Sequence, residues 1–278
     1  LNEPFFTLPL IIFEMQPPRT NKTALITGAS SGIGRDLATV FAREGYDLII
    51  TARREERLQT IKKELESRFN CTINVFACDL AEVESPEKLY RFVNDASLTI
   101  SVLVNNAGIG DFGLFSDSDW QKNAIMLNLN ITSLTHLTHL FLPDLMRQEK
   151  AYIMNVASTA AFQPGPLMSV YYATKHYVLA FSEAIANELS STGVVVSALC
   201  PGPTASEFQE VSNMEKSKLF ELFPVASSAD VAEFGYRALM KEKQVAIYGF
   251  LNKVGAKITP LLPKKWVTSA VRIIMDRK

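Results

Sequence analysis

The sequence predicts one α/β domain, a doubly wound parallel sheet of about seven strands with helices on both faces. Three observations carry this. Short β-rich runs alternate with longer amphipathic stretches from Thr23 to Tyr248. The short runs are almost continuously apolar, as strands covered on both faces are. A glycine-rich stretch follows the first run and opens the first helix, the place where an open parallel sheet takes a nucleotide.

The elements follow in order. Thr23–Thr27 reads as a strand and Ile33–Glu44 as a helix. Asp47–Thr51 is the second strand, followed by a charged helix over Glu55–Ser67. Ile73–Ala77 is the third strand, with a helix near Pro86–Ala96. Val102–Val104 and Tyr152–Val156 are further strands with a long helical region between them. Val170–Leu189 is a helix and Val194–Leu199 a strand, followed by a helix near Ala229–Met240 and a last strand at Val245–Tyr248. No repeat and no low-complexity linker interrupts the alternation. The domain is expected over 20–250, with an N-terminal arm over 1–19 and a tail over 251–278.

A chain of 278 residues, 47% hydrophobic and 21% charged, has the composition of a soluble domain with a sizeable core. A net charge of −1 provides no global field for nucleic acid. Cys71, Cys78 and Cys200 are an odd count without metal-ligand spacing. They read as reduced thiols, which predicts a reducing, cytoplasmic setting. His136, His139 and His176 lack metal-ligand company and read as structural, so no metal site is expected. No apolar run reaches the roughly 18–20 residues of a membrane span. Phe5–Phe13 is apolar but broken by Pro9, with no basic segment before it, so it reads as an arm packed on the domain or a partner rather than a signal peptide. The chain begins at Leu1 rather than Met, and a missing or processed start is expected.

The tail differs from the rest. From Lys253 to Lys278 it holds seven basic residues and one acid, Asp276. Trp266, Val267, Ala270, Val271 and Ile274 fall at helical spacing and form an apolar stripe. Packing on the domain or a partner is the plain reading. Weak adhesion to an anionic membrane surface is the sharper one.

Thr27-Gly28-Ala29-Ser30-Ser31-Gly32-Ile33-Gly34 joins the first strand to the first helix. Gly28 permits a tight turn, while Gly32 and Gly34 let backbone and helix approach a pyrophosphate at the helix N-terminus. Further on, Tyr171 and Lys175 are four residues apart in a predicted helix. That spacing puts both on one face. An ammonium beside a phenol favours the phenolate, so Lys175 is expected to lower the Tyr171 pKa.

In this context the chain resembles the short-chain dehydrogenase/reductase family, in its NADP-preferring form. The loop is similar to that family's TGxxxGxG signature, and Tyr171 and Lys175 to its YxxxK pair. Asn105-Asn106-Ala107-Gly108 resembles the NNAG motif after the fourth strand, and Cys200-Pro201-Gly202-Pro203-Thr204 the PG motif after the sixth. The resemblance covers about 20–250 and implies a Rossmann fold. It also implies a cofactor site built from Gly28, Ser30, Ser31, Gly32, Ile33, Gly34, Asp79 with Leu80, Asn105, Ala107, Gly108, Pro201, Gly202, Thr204 and Ser206, with Tyr171 and Lys175 at its nicotinamide end. Asp79 matches the acid that binds the adenine amino group. Ser206 stands where the family usually has threonine, and Thr204 is a second hydroxyl for the same contact.

The end of the second strand decides the cofactor. An acid there accepts from the ribose 2′-hydroxyl and repels a 2′-phosphate. Thr51-Ala52-Arg53-Arg54 has no acid and two guanidiniums, which bind phosphate by charge-assisted hydrogen bonds. NADP(H) is therefore predicted, with Arg53 as the phosphate ligand. The plain alternative is that both arginines only solvate the start of the helix carrying Glu55 and Glu56, with Arg54 turned outward.

Ser158, 13 residues before Tyr171, matches the family's catalytic serine, and Asn130 its fourth catalytic residue, with Asn128 as competitor. The implied reaction moves hydride between the nicotinamide and a carbonyl or secondary alcohol. Ser158 polarises the oxygen and Tyr171 carries the proton. Lys175 holds the nicotinamide ribose, and Asn130 supports a water leading to Lys175. Phe208, Met214, Leu219, Phe220, Phe223, Phe162, Pro164, Leu167 and Met168 predict an apolar substrate wall. The alternatives are a non-catalytic NADP-binding sensor or scaffold, and a dehydratase or epimerase. A homodimer or homotetramer on the helices around Leu127–Met146 and Val170–Leu189 is the assembly the resemblance implies.

Overall fold

In a computed structural model, the described part of the chain comprises residues 20, 22–214, 218 and 223–276. The expected arm over 1–19 lies outside it, as do Leu219 and Phe220. Seven strands form one fully parallel sheet: β1 Thr23–Thr27, β2 Asp47–Ala52, β3 Ile73–Ala77, β4 Ile100–Asn105, β5 Ala151–Val156, β6 Val194–Cys200 and β9 Val245–Ile247. Their order is β3-β2-β1-β4-β5-β6-β9. Strand order reverses between β1 and β4, so a crevice opens there at the carboxyl ends of the strands. A two-stranded parallel pair, β7 Thr204–Ala205 and β8 Ala226–Ser227, lies apart from the main sheet. The sequence has no signal for it, because two residues are too few to show alternation.

Helices cover both faces. On one, α1 Gly32–Arg43, α2 Glu55–Arg68 and α8 Ser228–Met240 bury Phe41, Leu58 and Leu239 against Ile26, Ile50 and Val104. On the other, α3 Ser85–Asp95, α5 Leu134–Met146 and α6 Ser169–Glu188 bury Leu89, Phe141 and Ala186 against Leu25, Leu103 and Ile153. Successive strand side chains point to opposite faces, which is why Leu25 and Ile26 belong to different cores.

Side-chain caps fix several helix starts. Asp119 accepts from Gln121 N at the head of α4 Trp120–Leu127, and Ser227 Oγ accepts from Asp230 N (3.0 Å) at the head of α8. The expected long helical region before β5 is built of three segments: a π-helical stretch, Asn128–Ser133, joins α4 to α5. After the short α7, Phe208–Val211, and β9, the chain ends in α9 Phe250–Ile258 and α10 Lys264–Met275. The tail thus packs on the domain. Val267, Val271 and Met275 are buried against Phe112, Met168 and Tyr172. Trp266, read as part of that stripe, points outward instead.

Candidate active site

The crevice between β1 and β4 is built by two turns hydrogen-bonded to each other. Thr27 Oγ1 accepts from the N–H groups of Asn106 (2.9 Å) and Ala107 (3.0 Å). Asn106 Nδ2 donates back to Thr27 O at 2.9 Å. The close approach demands glycine. Gly28 has φ +65, and a Cβ there would lie 2.9 Å from Ala107 Cα. A Cβ on Gly34 would lie 2.4 Å from both Asn106 Nδ2 and Gly28 O. The turn therefore leaves its backbone bare at the head of α1, where partial positive charge favours phosphate.

This turn opens into a cavity of about 580 Å³, within the size range of ligand clefts. Gly28, Ser30, Ser31, Gly32, Ile33, Gly34, Arg53, Asp79, Leu80, Ala107, Gly108, Ser158, Tyr171, Lys175, Pro201, Gly202, Thr204 and Ser206 all line it. Asn105 does not. It is 3% exposed and faces inward, donating from Nδ2 to Thr138 Oγ1 (3.0 Å) and Asn155 Oδ1 (2.9 Å). Asn106, its neighbour, faces the cavity in its place, as the alternation along a strand end requires.

At the far end of β2 the two arginines differ from each other. Arg54 turns inward, donating from one nitrogen to Ser30 Oγ (3.1 Å) and Ser31 Oγ (3.2 Å). It also meets Glu207 at 2.8 Å. Arg53 is the more exposed of the two and stands 3.9 Å from Asp79. Both line the cavity. Glu207 carries no sequence signal, since only the fold brings 207 to 54.

At the other end lie the expected catalytic groups. Ser158 caps a short 3-10 helix, Thr159–Phe162, accepting from Ala160 N at 3.1 Å. Tyr171 and Lys175 stand one turn apart on α6, with Lys175 Nζ 5.7 Å from the Tyr171 ring centre. Lys175 is 6% exposed and donates to Val156 O at 2.8 Å. Asn130, in the π-helical segment, lies beneath the cavity rather than in its wall. Its amide accepts from Ile109 N (3.0 Å) and donates to Ile109 O (2.9 Å) and Thr174 Oγ1 (3.0 Å). A Cβ on Gly108 would lie 3.2 Å from Asn130 Oδ1 and 3.5 Å from Lys175 Nζ, so the two side chains flank the same backbone. Single-turn π segments recur at functional sites. Asn128 is not in the cavity wall.

The electrostatics reverse one expectation. Burial pushes the Tyr171 phenol up to about 12, with a hydrogen bond to Ser158 pulling the other way. Tyr171 keeps some surface open to the cavity yet sits deep in the protein. Burial also pushes Lys175 down to about 8. Desolvation disfavours both charged forms and is the largest cause of both shifts. At neutral pH the pair is phenol and ammonium.

The substrate wall is partly as read. Phe208, Met214, Phe223 and Met168 line the cavity, whereas Phe162, Pro164 and Leu167 do not. The tail adds Val267, Ala270, Val271, Ile274 and Met275, joined by Leu251 and Leu262. Tyr172 stacks its ring over Gly165 and donates to Met275 Sδ at 3.6 Å. Among the described residues, no group of His, Cys, Asp and Glu is arranged to hold a metal ion.

The donor set suits a nicotinamide dinucleotide: a bare backbone turn at a helix head, guanidiniums beyond it, and a hydroxyl, phenol and ammonium at the opposite end. Comparison with known proteins agrees. The short chain dehydrogenase pattern matches residues 22–217. The serine 3-dehydrogenase of Agrobacterium fabrum is 34% identical over 233 residues, covering 81% of this chain and 90% of that protein. The very-long-chain 3-oxoacyl-CoA reductase-A of Danio rerio is 30% identical over 202 residues, or 71% of this chain, which spans 63% of that protein's length. A short-chain dehydrogenase from Sphingobium yanoikuyae, solved in complex with NADPH, superposes with a TM-score of 0.78 at 28% identity, covering 86% of this chain and 93% of that one. The chain belongs to the short chain dehydrogenase family.

Proposed function

We propose that the protein is an NADP(H)-dependent carbonyl reductase or alcohol dehydrogenase for an apolar substrate. One observation supports this above the others. A single cavity has Arg53, Arg54, Ser30 and Ser31 at one end and Ser158, Tyr171 and Lys175 at the other. When bound, the cofactor supplies or accepts the hydride.

The chain's own groups orient the substrate and move the proton. The Ser158 hydroxyl donates to the substrate oxygen, where negative charge grows during reduction. Tyr171, held as a neutral phenol by burial, gives that oxygen its proton and takes one back in the oxidative direction. Lys175, anchored to Val156 O, places a positive charge beside the phenol that favours the phenolate left behind. Asn130 holds the Ile109 backbone against Thr174 and so positions the wall beside Lys175. Arg54, Ser30 and Ser31 present donors for a 2′-phosphate, with Arg53 next to them. Phe208, Met214, Val267 and Val271 exclude water and receive an apolar ketone or aldehyde.

Exposed Trp120, Ile125, Met146 and Tyr177, with Tyr177 stacked on Phe181 at 5.9 Å, suit burial between copies in a homodimer or homotetramer. An odd count of three cysteines, Cys71, Cys78 and Cys200, suits a reducing, cytoplasmic setting.

The test is consumption of NADPH, and separately NADH, over a panel of ketones, aldehydes, steroids and quinones. Turnover of apolar carbonyls with NADPH supports the reading. Tight NADPH binding without turnover on any member points to a sensor instead.

A further inference from the structure

Helices α9 and α10 are apolar on two sides. Their inner sides close the cavity through Ala256, Val267, Val271 and Met275. Their outer sides carry Phe250, Val254 and Ile258 on α9, and Trp266 and Ile273 on α10. Intervals of four and seven residues align side chains along one side of a helix. Among the described residues, 17 large apolar side chains are exposed, and eight of them fall between 250 and 273. Phe250 is 78% exposed, Leu261 82%, and Trp266 and Ile273 69% each. Apolar exposure gathered in this way marks an interaction surface, whereas scattered residues do not.

Every charge on the same stretch is positive: Lys253, Lys257, Lys264, Lys265 and Arg272. We propose that this helix pair docks on the surface of an anionic lipid bilayer. The apolar stripe would enter the boundary between headgroups and acyl chains, and the cations would meet lipid phosphates. No helix among the described residues is long and apolar enough to cross a membrane, so the contact is a surface one. A second copy of the chain fits the patch less well, because a two-fold contact would set five cations against five.

Leu251 and Leu262 are exposed and also line the cavity. They join the docking stripe to the cavity rim. On the proposed activity toward apolar carbonyls, on which this last step rests, a substrate dissolved in the bilayer enters from the lipid side without crossing water.

The probe is co-sedimentation of the whole chain with vesicles of phosphatidylcholine, alone or with about 30% phosphatidylglycerol, since anionic lipid attracts clustered cations. Binding to the anionic vesicles, at least about tenfold weaker on phosphatidylcholine and weakened by about 0.5 M salt, is expected. Lys264→Gln with Lys265→Gln lowers the partition about tenfold or more. Trp266→Glu with Ile273→Glu abolishes it, while circular dichroism and NADPH binding stay unchanged. No binding to anionic vesicles overturns the proposal, as does binding that survives Trp266→Glu with Ile273→Glu. Light scattering that shows a dimer dissolved by Trp266→Glu also overturns it, assigning the stripe to a second copy. Substrate delivery has its own readout. The glutamate pair lowers kcat/KM for a ketone held in vesicles and leaves that for a water-soluble ketone unchanged; equal effects on both exclude entry from lipid. If no ketone is reduced, the proposed activity fails while the sedimentation result stands by itself.

Discussion

Arg54 and Glu207 form a 2.8 Å ion pair that ties the end of β2 to the loop following β6. Arg57 contacts the same carboxylate, and its hydrogen bond is the largest of the influences holding Glu207 below the usual carboxylate range. The Arg54 nitrogen that meets Glu207 also donates to Ser30 and Ser31. An internal carboxylate thus sits on the donors proposed for a 2′-phosphate.

Two anions compete for one guanidinium, so removing the internal one favours the external one. Glu207→Gln is expected to tighten NADPH binding and leave NADH nearly unchanged. The pair is solvent-exposed and worth at most about 1 kcal/mol, which is about fivefold in Kd. Fluorescence titration of both cofactors measures it. Weaker NADPH binding in the variant would show that Glu207 helps hold the cofactor rather than competing with it.

The arginines themselves set the preference. A charge-assisted hydrogen bond contributes about 1.5–3 kcal/mol, so Arg54→Ala is expected to cut the NADPH-over-NADH preference roughly tenfold or more. Arg53→Ala is expected to cut it less, because Arg53 is more exposed and its nearest charge partner is 3.9 Å away. Kinetics with the two cofactors separate the variants. An unchanged preference in both would remove the NADP(H) assignment.

Much of this site was legible in the sequence, for a physical reason. Thr27–Gly34 and Tyr171–Lys175 are local, and their spacing alone fixes which groups share a turn or a helix face. The strands too were local: their short β-rich runs carry the signal, and Thr23–Thr27 in the buried centre and Ile73–Ala77 at the edge are both observed as read. What could not be read depends on distant segments meeting. Glu207 reaches Arg54 only through the fold, and the tail closes the cavity by packing Val267, Val271 and Met275 on Phe112, Met168 and Tyr172. Trp266 belongs by spacing to the Val267 stripe, yet the helix rotates it outward. Asn105 and Asn106 are identical in type, and the strand's alternation sends one inward and the other to the cavity. The Tyr171 pKa was misread because burial depth, which dominates it, has no signature in a four-residue spacing.

Tyr171 and Tyr172 divide their labour by direction. Tyr171 faces the cavity beside Phe208, with ring centres 5.3 Å apart, whereas Tyr172 is buried between Gly165 and Met275. Tyr171→Phe is expected to lower kcat by at least about 100-fold, the scale of general acid–base catalysis, with NADPH binding retained. Tyr172→Phe loses one weak bond to sulfur, so turnover and fold should both persist. Loss of turnover in Tyr172→Phe alone would reverse the two roles.

Lys175 is held against its own preference. Its pKa falls from the ordinary 10.5 to about 8 through burial, a cost of about 3 kcal/mol while the group is charged in both folded and unfolded chains. Between about pH 8 and 10.5 the unfolded chain binds the proton that the folded chain has released, so stability from this residue rises with pH across that window. Lys175→Met removes the buried charge but leaves the Val156 carbonyl without its donor, which costs about 1–2 kcal/mol. The variant is therefore expected to lose activity and yet gain about 1–2 kcal/mol at pH 7, a rise of roughly 2–8 °C in Tm. The gain should shrink or change sign by pH 10, where the native lysine is neutral when folded. Tyr171, pushed up to about 12, lowers stability as pH rises through 10, but it is present in both proteins and largely cancels in the difference. Thermal unfolding of the two proteins at pH 7 and pH 10 gives the answer. Equal destabilisation at both values would mean that the Val156 bond, rather than the buried ammonium, dominates this site.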